Sequence, residues 1–172
     1  MAATAEPVSQ EFNEHRTRIE LAALYRLSHH YGWTDMIDTH ITARVPGTTD
    51  QYFINPYGLM FDEITASSLL KVDFDGNVLE GDYPTNSAGH LIHTAVLKAR
   101  PDLNVLLHSH TRAGTAVSAM ECGLLPLSQQ GNEIINLVSY HDYQLVVGDA
   151  ETECAALARD LPQGTRLMIM RN

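Results

Sequence analysis

Asn104-Val105-Leu106-Leu107-His108-Ser109-His110, residues 104–110, is a short apolar run that closes on two histidines. Such a run, bounded by helical patterns on both sides, predicts a short buried strand. In a strand, residues i and i+2 share a face and lie roughly 6.5 Å apart. His108 and His110 therefore point one way and Ser109 the other. Two neutral imidazoles side by side form two legs of a divalent-metal site. The spacing alone fits one core histidine and one solvated histidine equally well, because His-x-His is short and common. A helical pattern from Thr111 to Met120 follows at once, so the strand is expected to end at the rim of a cleft.

Working outward, the residues before this strand, Asn86 to Lys98, read as a helix capped by Asn86 or Ser87, with Arg100-Pro101 after it. Glu11 to Tyr31 carries apolar residues at helical spacing (Ile19, Ala23, Leu24, Leu27, Tyr31) and Gly32 as a stop. Thr39 to Val45 and Gln51 to Asn55 alternate as strands around the Pro46-Gly47 turn. Ile64 to Leu70 reads as one helical turn. Lys71 to Phe74 and Val78 to Leu79 flank the hairpin signal Asp75-Gly76-Asn77. Residues 124–144 read as irregular, residues 150–161 as a helix, and Arg166 to Met170 as a final strand. Strands interleaved with helices predict a mixed α/β or α+β sandwich. One domain over 11–172 is expected, after a flexible lead over 1–10. The chain's end just after an apolar strand is read as the loss of a C-terminal portion.

The 172 residues carry 21 acids against 11 bases, a net charge of −10. That balance argues against nucleic acid or an anionic membrane as the main partner. No apolar stretch approaches the roughly 18 residues of a membrane span, and the N-terminus lacks a secretory pattern. Cys122 and Cys154 fit no metal or redox spacing, which suggests a reducing cytoplasm and buried small residues.

Thr85-Asn86-Ser87-Ala88-Gly89-His90-Leu91-Ile92-His93, then Ala99-Arg100-Pro101-Asp102, then Leu107-His108-Ser109-His110, resembles the class II aldolase/adducin family. Thr39 to Gly47, Ile54-Asn55-Pro56-Tyr57-Gly58, Ala116 to Met120, Cys122 to Pro126 and Tyr140-His141-Asp142-Tyr143 extend the resemblance from roughly residue 16 to the end. The last three segments look closer to the adducin-like branch. The resemblance implies a three-layer α/β/α sandwich around a central, mainly antiparallel sheet, and a cyclic homotetramer. It implies a divalent cation, zinc first and manganese or cobalt next, held by His108, His110 and a third histidine that would follow Asn172. The cation would stabilise an enediolate of a small hydroxy-carbonyl substrate of sugar or sugar-phosphate type, in aldolase-like lyase chemistry. The other reading is a non-catalytic adducin-like assembly module.

The resemblance also assigns a substrate loop to Asn55, Tyr57 and Gly58, and a phosphate-holding segment to Thr85, Asn86 and Ser87. Plain capping explains Ser87 as well. Gly89 stands where the aldolases carry a proton-transferring glutamate. His141, in the 140–143 segment read as a loop, is therefore the candidate for the missing acid or base. Glu63 and Glu133 are weaker candidates. His93 reads as a packing or supporting histidine. His90 and His40 face either the cleft or ordinary neighbours. Arg44 and Arg112 read as solvated cations or anion partners.

Overall fold

The computed structural model describes residues 10–143 and 150–171, so residues 1–9 of the lead expected over 1–10 lie outside the described residues, and Gln10 already opens a helix. Helix α1 (Gln10–His30) leads into β1 (His40–Arg44), β2 (Gln51–Ile54), β3 (Leu70–Asp73) and β4 (Val78–Glu80). Helix α2 (Ser87–Ala99) and strand β5 (Val105–His108) follow, then α3 (Arg112–Ser118) and α4 (Gln129–Ile134). Strand β6 (Val138–Asp142), helix α5 (Ala150–Asp160) and strand β7 (Leu167–Arg171) complete the order. The first five strands form an antiparallel sheet in the order β4-β3-β2-β1-β5, and β6 pairs with β7 in parallel. No helix among the described residues is long and apolar enough to cross a membrane.

Alternation along the strands builds the expected three layers. Ile41 and Ala43 of β1 and Phe53 of β2 bury one sheet face with Leu21, Ala22 and Tyr25 of α1. Tyr52 and Ile54 of β2, with Leu70 and Val72 of β3, bury the opposite face with Leu97 of α2. A period of two thus feeds two helical layers from one sheet. At the centre, the Tyr25 hydroxyl accepts from the backbone N–H groups of Ile41 (2.9 Å) and Asn55 (3.1 Å). Arg100, also buried, grips Asp102 with two hydrogen bonds and donates to the Pro162 carbonyl at 2.7 Å. That contact ties the end of α2 to the end of α5.

Five expectations change. The buried stripe of α1 is Leu21, Ala22, Tyr25 and Ser28, whereas Ile19, Leu27 and Tyr31 are exposed. Strand β5 is an edge strand with Val105 (49%) and Leu107 (38%) exposed, because α1 covers β1 and stops short of it. The helical turn expected at 64–70 lies earlier, a 3-10 turn at Phe61–Glu63, where the Glu63 carboxylate accepts from the Met60 N–H at 2.7 Å. Residues 138–142 form a strand rather than a loop, since β7 supplies a parallel partner from Val138↔Leu167 to Asp142↔Arg171. Cys122 is exposed and Cys154 half-buried, both free, against the expectation of buried packing.

Candidate functional site

Antiparallel pairing of β1 with β5 sets His40 directly opposite His108. Paired residues share a face, so both project toward α2. Their rings stack with centroids 5.0 Å apart. Past the strand end, His110 turns back so that its Nε2 lies 2.9 Å from Nε2 of His108. Nδ1 of His110 is 2.9 Å from Oδ2 of Asp35. A carboxylate there holds the proton on Nδ1 and leaves the Nε2 lone pair facing His108. Two ring nitrogens converging on one point, one backed by a carboxylate, fit two ligands of a divalent cation. Among the described residues, no three His, Cys, Asp or Glu side chains already close around such a point.

His93 lines the floor of this nest. Its Nδ1 is 2.8 Å from the Thr42 hydroxyl, and its ring lies 4.4 Å from that of His40. Burial, then the neighbouring His108 and His110, lowers the His40 pKa from 6.5 to about 3. Burial, then His110, lowers His108 to about 4. Burial, then His40 and His108, holds His93 well below its ordinary value. These rings are neutral at pH 7 and keep a lone pair for a ligand. Unfolded histidines take up protons near pH 6.5, and these folded ones resist. The stability they contribute is therefore fully present above about pH 6.5 and lost as pH falls toward their folded values. Denaturant titrations should show unfolding free energy falling by up to about 1.4 kcal/mol per pH unit for each ring. The decline should flatten in His40→Asn.

The loops expected to meet substrate converge beside this nest. The Tyr57 N–H donates to the Pro84 carbonyl at 2.9 Å, which joins the 55–58 turn to the lead of α2. Gly58 has φ +101°, open to glycine, and no atom within 4 Å of a Cβ built there. Asn55 is buried and its Oδ1 is 2.8 Å from the Tyr25 hydroxyl, so its side chain also serves the core. Tyr57 and Ser87 are exposed, and Thr85 is half-buried. Asn86 is the cap of α2, its Oδ1 accepting from the Gly89 N–H at 3.0 Å. Asn86→Ala should cost about 1 kcal/mol in denaturant unfolding.

Gly89 lies against the His40 ring. A Cβ there would fall 2.9 Å from both Cδ2 and Nε2 of His40. Local pattern fits a cleft-facing or an ordinary His40 alike; its register opposite His108 is a tertiary fact that such pattern does not carry.

His141 has a different setting. Its Nε2 is 2.9 Å from Glu153 Oε1 and its Nδ1 is 2.9 Å from Asp160 Oδ2. Burial pulls its pKa down, but the hydrogen bonds and charges of Asp160 and Glu153 outweigh that and raise it. This charged cluster staples β6 to α5, and both ring nitrogens are engaged in it. Arg44 is also engaged. Its guanidinium donates to the carbonyls of Leu103 (2.8 Å), Thr49 (3.3 Å) and Leu97. His90 is 2.6 Å from the Tyr52 hydroxyl, and Glu133 accepts from Gln129 at 3.4 Å.

Comparison with known proteins gives a consistent picture. The family model described as the Class II Aldolase and Adducin N-terminal domain matches residues 19–172. A Pseudomonas aeruginosa protein named "Putative aldolase class 2 protein PA3430" is 50% identical over 157 residues, covering 91% of this chain and 60% of that protein. Mouse alpha-adducin is 39% identical over 171 residues, 98% of this chain and 23% of the adducin. A solved L-fuculose 1-phosphate aldolase from Glaciozyma antarctica superposes with a TM-score of 0.85 at 28% identity, covering 98% of this chain and 66% of that one. The chain spans about three-fifths of the length of the first of these relatives.

Proposed function

The chain belongs to the class II aldolase and adducin family, and from that premise we propose that it is the core of a metal-dependent, aldolase-like lyase. The substrate is a small hydroxy-carbonyl compound of sugar or sugar-phosphate type. The observation that carries the reading is the convergence of Nε2 of His108 and Nε2 of His110 at 2.9 Å, with Asp35 behind His110. His108 and His110 would hold the cation, zinc before manganese or cobalt. When bound, such a cation supplies the Lewis acidity that enediolate chemistry needs.

The chain's own residues do the rest. Asp35 fixes the tautomer of His110. Tyr57, Thr85 and Ser87 would meet the substrate: the Tyr57 N–H to Pro84 bond that joins the 55–58 turn to the α2 lead supports this, and polar groups and helix N-terminal amides suit substrate oxygens or a phosphate. The name of the fuculose 1-phosphate aldolase supports a phosphorylated substrate class. His141, with both nitrogens held by carboxylates, enters this proposal as a structural staple rather than the proton donor. Assembly as a homo-oligomer and a cytoplasmic setting belong to the same proposal.

Hydroxyacetone- and glycolaldehyde-type donors, screened with aldehyde acceptors and added zinc, manganese or cobalt, should reveal turnover that His108→Ala abolishes. No turnover with any of these cations counts against the lyase reading. Asp35→Asn should weaken the cation about 10–100-fold in chelator competition. An unchanged affinity would remove Asp35 from the site. Likeness to alpha-adducin along 98% of the chain supports a second reading, a non-catalytic assembly module. A stable, metal-free oligomer without turnover would favour it.

A further inference from the structure

We propose that His40 is a third nitrogen donor of the His108/His110 centre, seated in the space that any side chain at position 89 would need. The inference rests on the metal reading above and goes beyond it. His40 is 3% exposed, yet neither of its ring nitrogens has a hydrogen-bond partner. An unpaired buried polar group is costly, and a neutral imidazole carries one donor and one acceptor. No other described histidine has both nitrogens buried and unpartnered. Its neighbours are satisfied: His93 reaches Thr42, and His110 reaches Asp35. The unsatisfied ring lies opposite His108 in register and stacks on it at 5.0 Å.

The second observation comes from α2. Gly89 does not have a positive φ, so the backbone there accepts any residue. Glycine is demanded by space, because a Cβ would fall 2.9 Å from Nε2 of His40 and 3.0 Å from Cε1. The His40 ring therefore takes the place of a side chain at 89 beside the converging pair. A soft, neutral nitrogen suits zinc or cobalt. The three rings are not yet closed around one point, so cation binding would draw His40 and His108 together.

The test loads the chain with one equivalent of zinc and counts imidazole ligands by X-ray absorption at the zinc edge. His40→Asn should lose one imidazole and weaken zinc about tenfold or more, while His90→Asn keeps both values. A second measurement needs no substitution: in ¹⁵N-histidine-labelled wild-type protein, a His40 ring nitrogen should shift on zinc addition together with those of His108 and His110. Zinc bound with the His40 resonances and imidazole count unchanged overturns this inference and leaves the metal reading standing. That result would assign the His40 nitrogens to a buried water. No zinc bound by the wild type overturns both.

Discussion

Replacing His141 by alanine should cost about 3–5 kcal/mol of stability, because it strands a buried carboxylate without its cation. Glu153 is 5% exposed and faces Nε2 of His141, while Asp160 takes the other nitrogen. For a domain of this size each kcal/mol lowers Tm by roughly 2–4 °C. The effect should depend on pH in a defined window. His141 has a raised folded pKa, so its contribution is complete below its unfolded value near 6.5 and is lost as pH rises through the folded value. Hydrogen bonds from Arg159 and His141 lower the Asp160 pKa, so its contribution is present above its unfolded 3.8 and is lost as pH falls through the folded value. Urea unfolding of wild type and His141→Ala across that range checks both signs. A difference below about 1 kcal/mol at pH 6 would place the triad among weak surface pairs.

Gly89→Glu is the second large effect. On the resemblance to the aldolases, which implies a glutamate at this position, the change looks like a gain of function. The structure predicts the opposite. The new Cβ meets the His40 ring at 2.9 Å, and that ring is held between His93 and His108. Overpacking costs about 1–3 kcal/mol, and an ionised carboxylate placed among buried groups adds to it. Gly89→Glu should therefore lose about 3 kcal/mol or more and show no added lyase turnover. His40→Ala in the same chain should recover a large part of the loss, because it empties the contested space. The thermal stabilities of the two single variants and the double variant measure this coupling. Additive losses would show that position 89 and His40 do not compete.

Much of the fold was legible because it is local. The hairpin residues Asp75-Gly76-Asn77, the Asn86 cap and the alternation of β1 and β2 each state their structure within a few positions. What failed depended on distant partners. Helix α1 carries apolar residues on more than one side, and periodicity cannot say which stripe the sheet covers. Leu21, Ala22 and Tyr25 are buried while Leu27 and Tyr31 face out. Residues 138–142 read as a loop because the β7 partner that makes them a strand lies some 30 residues later.

The site divided the same way. The His-x-His pair was visible as two ligands on one face, and its nitrogens do converge. Asp35 was not visible, since it lies 75 residues from His110 and no spacing rule links a post-helix turn to a strand end. His40 and Gly89 each stand out separately in the sequence. That one ring fills the other's space follows only from the packing of α2 on the β1–β5 edge.

The proposed lyase stands on a divalent cation held by His108 and His110. Metal content of untagged protein by plasma mass spectrometry, beside His108→Ala/His110→Ala, decides whether that cation is there. About one zinc, manganese or cobalt ion per wild-type chain, and none in the double variant, is the expected result. Metal-free wild-type protein that stays metal-free after incubation with each cation would contradict it, as would equal metal content in both proteins.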